Sequence, residues 1–96
     1  MTLKAGLLGD PVDHYDGHTG KVISSCSHVY DCGILIARVD DLVDGHIGTD
    51  HETLTCKITV GSSVLFIDGK AVSYLGSEVS CDGKVRAQAQ VLYVDP

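Results

Sequence analysis

Residues 58–85 read ITVGSSVLFIDGKAVSYLGSEVSCDGKV, and this stretch decides the fold. Leu65-Phe66-Ile67 is a short apolar run that ends at Asp68-Gly69, a dipeptide suited to the positive φ angles of a two-residue hairpin turn. Lys70 to Leu75 then returns with residues that fit a pleated surface. Gly76-Ser77 breaks the strand, and a polar loop carries Cys81 to Gly83-Lys84-Val85, where the pattern begins again.

The pattern recurs three times. With Val22 aligned to Ile58 and Val85, Val29-Tyr30 matches Leu65-Phe66 and Leu92-Tyr93. The turn Cys32-Gly33 matches Asp68-Gly69, and the third copy stops at Asp95-Pro96. Behind the first turn, residues 37–41 (ARVDD) match residues 73–77 (SYLGS). A repeat of this kind fixes which positions are structurally equivalent. Residues 1–8 precede the pattern and read as an apolar lead-in, an edge strand or packing arm.

The chain of 96 residues forms one domain, 1–96. A domain this small buries only roughly two-thirds of its unfolded surface, so an added staple is useful. Val, Ile and Leu are plentiful while Trp is absent, which suits thin sheets packed close to an axis. No helical period is sustained, and the expectation is an all-β protein. The net charge of −6 argues against nucleic acid, whose phosphates need clustered Lys and Arg. No apolar run reaches membrane-span length and the start MTLKAGLLGD lacks a signal-peptide pattern, so synthesis in the cytoplasm is expected. Without a secretion signal, the four cysteines are expected to be reduced thiols or metal ligands rather than disulfides. Cys26 aligns with Ser62 and reads as inert packing within a strand, where His28 is placed as well.

Three polar loops connect the repeats, and the soft metal ligands gather in them. His14 and His18 lie in the first, His46 and His51 in the second, and Cys81 in the third. If three repeats wrap an axis, these loops converge at one end. Imidazole and thiolate are preferred zinc ligands, and three His with one Cys would close a four-coordinate structural shell. Such a site would add folding energy that a small core lacks. His14 and Cys81 are each four residues past the equivalent Asp10 and Ser77; His18 and Cys81 are each four residues before Val22 and Val85. Either histidine therefore serves as the first ligand, with His18 closer in local sequence. If both reach the metal, a higher coordination number makes iron the alternative. A small zinc hydrolase and a zinc-stapled binding module are the competing readings. A closed shell argues against the hydrolase, since a catalytic zinc keeps an open position, and no nucleophile-elbow motif is present.

The motifs GDPVDH (9–14), TGKV (19–22), ARVDD (37–41), VGSS (60–63), LFIDG (65–69) and SCDGKV (80–85) occur in an order that resembles the PAAR-repeat family, the tips of contractile injection machines. The resemblance covers residues 9–95. It implies a small cone of three pseudo-threefold β-hairpin repeats, a structural role without turnover, and a metal near the apex held by three His and one Cys. Here those are His18 or His14, His46, His51 and Cys81. It also implies a base that caps a trimeric β-helix spike, one copy per trimer, and transient contact with a target membrane. Assembly into a phage tail or secretion-machine spike would follow. Two features depart from the family: Asp40 stands where it has Gly, and the first loop is longer.

Overall fold

The computed structural model describes residues 2–14, 19–43, 56–80 and 83–96. Among these there is no helix. Ten short strands occur: β1 (Leu3–Lys4), β2 (Pro11–His14), β3 (Thr19–Lys21), β4 (Tyr30–Asp31), β5 (Ile34–Leu35), β6 (Phe66–Ile67), β7 (Lys70–Ala71), β8 (Glu78–Val79), β9 (Gly83–Val85) and β10 (Tyr93–Val94). The protein is a small all-β cone of three hairpin repeats.

The hairpins β4–β5 and β6–β7 turn at the expected dipeptides. Cys32 and Gly33 have φ of 48° and 85°, and Asp68 and Gly69 have 54° and 79°. Positive φ at both central residues is the conformation that matches the right-handed twist of the flanking strands. The third hairpin is built differently. β10 pairs with β1 and not with a strand that follows it: Leu3 pairs with Val94 and Lys4 with Tyr93. The lead-in thus supplies an edge strand, one of the two readings expected of it. It is the missing half of repeat three, and it closes the chain into a ring.

Closure gives Ala5, Ile36 and Val72 equivalent places, and likewise Gly6, Ala37 and Ser73. The backbone bonds show the symmetry directly. Gly6 N donates to Ser73 O (2.9 Å), Ala37 N to Gly6 O (2.9 Å) and Ser73 N to Ala37 O (3.0 Å), a closed triangle about the pseudo-threefold axis. The axis admits only small residues. A Cβ on Gly6 would lie 2.1 Å from Ser73 Oγ.

Two buried clusters lie on either side of this triangle. One contains Val12, Val43 and Val79 with Val22, Ile58 and Val85, two complete sets of equivalent positions. The other contains Ala5, Ile36 and Val72 with Cys26, Ile67, Ala89 and Val94. The repeats are joined around the first cluster by antiparallel pairs Val12–Val85, Val22–Val43 and Ile58–Val79. Cys26 is buried as inert packing requires, but neither it nor His28 is in a strand. His28 sits at an exposed bend, with Nε2 3.6 Å from Asp68 Oδ1.

Candidate functional site

The first cluster marks the end of the molecule from which the three polar loops depart. At the first loop Val12 leads through Asp13 to His14, whose backbone pairs with Gly83. Arg86 fixes Asp13 with bonds of 2.6, 2.8 and 3.0 Å to its carboxylate, tying β2 to repeat three just before His14. Each loop leaves from a turn with the same chemistry. Gly9, Asp40 and Gly76 have φ of 89°, 76° and 91°. The next residue caps the turn from its side chain: Asp10 Oδ2 accepts from Leu7 N (2.7 Å), Asp41 Oδ2 from Arg38 N (2.6 Å) and Ser77 Oγ from Tyr74 N (2.9 Å). Desolvation raises the pKa of buried Asp10, and the amides of Leu7 and Gln88 offset this only in part.

Of the expected metal ligands, His18, His46, His51 and Cys81 lie outside the described residues, as does the side chain of His14. Among the described residues no group of three or more His, Cys, Asp or Glu is assembled for a metal. The donor chemistry suits zinc or iron: neutral imidazoles and one thiolate, on loops that leave from three equivalent turns. Cys56, at the foot of the second loop, is buried and disulfide-bonded, which corrects the expectation of reduced thiols for that residue. Cys26 and Cys32 are free.

The second cluster underlies the opposite surface, formed by the hairpins. Tyr30, Phe66 and Tyr93 occupy equivalent strand positions and are 58%, 54% and 50% exposed. Val64 and Val91, also equivalent to each other, are more exposed still. Five large apolar side chains on symmetry-related positions form a pattern that singly exposed residues would not.

Polar clamps hold this surface in shape, and no sequence motif announced them. Ser62 Oγ accepts from the amides of Val64 and Leu65 (both 3.1 Å) and donates to the carbonyl of Asp95. Repeat three has Ala89 at the equivalent position and so lacks that hydroxyl. Asp31 of repeat one reaches across instead, accepting from the amides of Gln90 (3.1 Å), Val91 (3.0 Å) and Leu92 (2.6 Å). Burial acts to raise the Asp31 pKa, but the three amides outweigh it and the carboxyl is held below its usual range. Two clues were readable in the sequence: an Asp where the other repeats have Ile67 and Val94, and an Ala where they have Cys26 and Ser62.

The PAAR motif matches residues 5–87. The chain belongs to the PAAR motif family. No individual curated protein matches it. The PAAR family comprises spike-tip proteins of contractile injection systems, structural rather than enzymatic and associated with a spike protein. The departure at Asp40 is accommodated without changing the backbone: Asp40 adopts the positive φ of the glycines it stands beside in the repeat. Its carboxylate faces Lys57 Nζ at 3.4 Å, a surface contact of little energetic weight. Among the described residues no helix is long and apolar enough to cross a membrane.

Proposed function

We propose that this PAAR protein is the tip that caps the trimeric β-helix spike of a contractile injection machine, a phage tail or a type VI secretion system, one copy per trimer. The observation that carries the reading is the exposed set Tyr30, Phe66 and Tyr93 on three equivalent hairpins. A single chain with pseudo-threefold symmetry offers the same side chain type three times, which is what a blunt threefold end presents in return. Symmetric surfaces of this kind pair only when their operators coincide. The opposite end, with its polar loops, then faces the target envelope and touches its membrane transiently. Rigidity serves piercing, and it comes from the closed ring of repeats and from a metal at the apex.

That metal is proposed to be zinc, with iron as the alternative, held by His46, His51, Cys81 and either His18 or His14. Its contribution there is a cross-link between three loops, with no turnover. Elemental analysis of the purified protein should find about one metal ion per chain, and Cys81→Ala should lower both metal content and melting temperature. Cys26→Ala should leave metal content unchanged. For the partner, native mass spectrometry of the protein mixed with a trimeric β-helical spike fragment should count one chain per trimer. Three copies per trimer, or no complex with the cognate spike, would overturn the capping role.

A further inference from the structure

The three repeats bend at the same place, at Ser27-His28, Ser63-Val64 and Gln90-Val91, each bend ending two residues before β4, β6 or β10. The backbone makes these places equivalent. Ile36 N donates to Val29 O (3.1 Å), Val72 N to Leu65 O (3.0 Å) and Ala5 N to Leu92 O (3.0 Å), one bond per repeat, each just past its bend. The bends thus carry His28, Val64 and Val91 onto the hairpin surface alongside the aromatic set, and all three side chains are exposed. Two of the three places are apolar, and the third is a titratable imidazole.

We infer that the spike end meets these bends with one apolar side chain from each of its three chains, and that His28 therefore makes docking weaken in acid. This rests on the capping reading above. A threefold partner presents the same residue three times, so the group that suits Val64 and Val91 also faces His28. The majority sets the partner's chemistry: a polar or charged side chain would lose its water against two valines without compensation. Such an apolar group can cover a neutral imidazole. An imidazolium covered in the same way loses the hydration that stabilises its charge. The charged groups around His28 act in the opposite sense. Asp68 Oδ1, on the turn of repeat two, lies 3.6 Å from Nε2 and favours the protonated ring. That carboxylate is half-exposed and shared, with Arg38 Nη1 3.6 Å from its other oxygen. Arg38 is in turn held by Asp41 (Nε to Oδ2 3.3 Å), and Ser27 Oγ lies 3.3 Å from His28 Nδ1. An exposed ion pair contributes little, whereas covering a charge with apolar groups is costly. Desolvation decides the sign.

The test is titration calorimetry of the whole chain with its cognate trimeric β-helical spike fragment, in steps from about pH 8 to about pH 5.5, across which histidine changes charge. One pH unit below the imidazole midpoint about a tenth of the chains are neutral, so affinity should have fallen about tenfold. His28→Val should bind at least as tightly and lose that fall, which separates it from any titration of the spike itself. Val64→His, the reciprocal change at an equivalent bend, should steepen the fall. Asp68→Asn supplies a residue that tolerates the positive φ of this turn, and it should leave the acid weakening in place. All three positions are exposed, so thermal unfolding should report folded variants. A fall that persists unchanged in His28→Val, or an affinity that rises in acid, would overturn the inference and leave the capping role standing. No complex at any pH would overturn the capping role and the inference with it, so the two failures are distinct.

Discussion

Asp31 Oδ2 accepts a 2.6 Å hydrogen bond from the amide of Leu92, although the two residues belong to different repeats. Asp31→Ala would strip the acceptor from three amides at once, and about 1–3 kcal/mol of stability should be lost. The pH dependence has a definite sign. Because the folded-state pKa of Asp31 is lowered, its contribution is complete at neutral pH and is lost as pH falls through the carboxylate range toward the folded value. The difference in melting temperature between wild type and Asp31→Ala should therefore shrink in acid. Asp10, whose pKa is raised by burial, should not reproduce that trend when changed to Asn. A gap that stays constant with pH would refute the ionic role of Asp31.

Gly6→Ala should destabilise the protein by about 1–3 kcal/mol, the usual cost of overpacking. The added Cβ would meet Ser73 Oγ at 2.1 Å, on the axis where three backbones converge. Ser73→Gly removes the obstructing side chain, so the double variant should recover part of the loss. Urea unfolding of both single variants and the double variant gives the coupling directly. Strict additivity would mean that the two residues do not meet at the axis.

Gly33 and Gly69 have φ of 85° and 79°, and nothing lies within 4 Å of a Cβ added at either. Their substitution by Val should therefore cost about 1–2 kcal/mol each through the backbone alone. Asn, which tolerates this conformation, should be accepted better at both positions. Equal tolerance of Val and Asn in thermal unfolding would contradict the turn assignment.

Asp40→Gly should be neutral or raise the melting temperature, by at most about 4–8 °C for a gain of ~1 kcal/mol in a domain of this size. It relieves a non-glycine residue at φ 76°. Glycine also loosens the unfolded chain, which sets the upper bound. The reciprocal change, Gly9→Asp, should lower the melting temperature. A stabilising Gly9→Asp would show that the carboxylate, and not the backbone, governs this turn.

The turns were legible because each is written in two adjacent residues whose conformational preferences are local: Cys32-Gly33, Asp68-Gly69 and Gly76-Ser77. The closure was not. β1 stands at the start of the chain while the strand it completes stands at the end, and a repeat read in order counts β1 as a leader. Asp31 escaped for a related reason, since its partners are amides of residues 90–92, which carry no side chain signature. His28 was placed in a strand by alignment with Val64, yet the chain bends there at Ser27-His28 and again at Ser63-Val64. The ligand loops follow the same logic in reverse. Their residue types are explicit in sequence, and His18, His46, His51 and Cys81 all lie outside the described residues.

The last prediction concerns the hairpin surface. Tyr30, Phe66 and Tyr93 occupy equivalent positions and none is buried, so replacing any one by Asp should cost little folding stability. If they meet a trimeric β-helix end, each should contact one of its three chains in the same manner. Truncated aromatic anchors at an interface centre typically cost about 2 kcal/mol or more in binding. A charge at each site in turn should therefore weaken the complex with a spike fragment by similar factors, and the triple variant should abolish it. The ligand loops leave from the other end, so Cys81→Ala, provided it folds, should still bind. Titration calorimetry on the four hairpin variants and Cys81→Ala separates these cases. Binding that survives the triple Asp variant but fails with Cys81→Ala would move the contact to the loop end and reverse the proposed orientation of the tip.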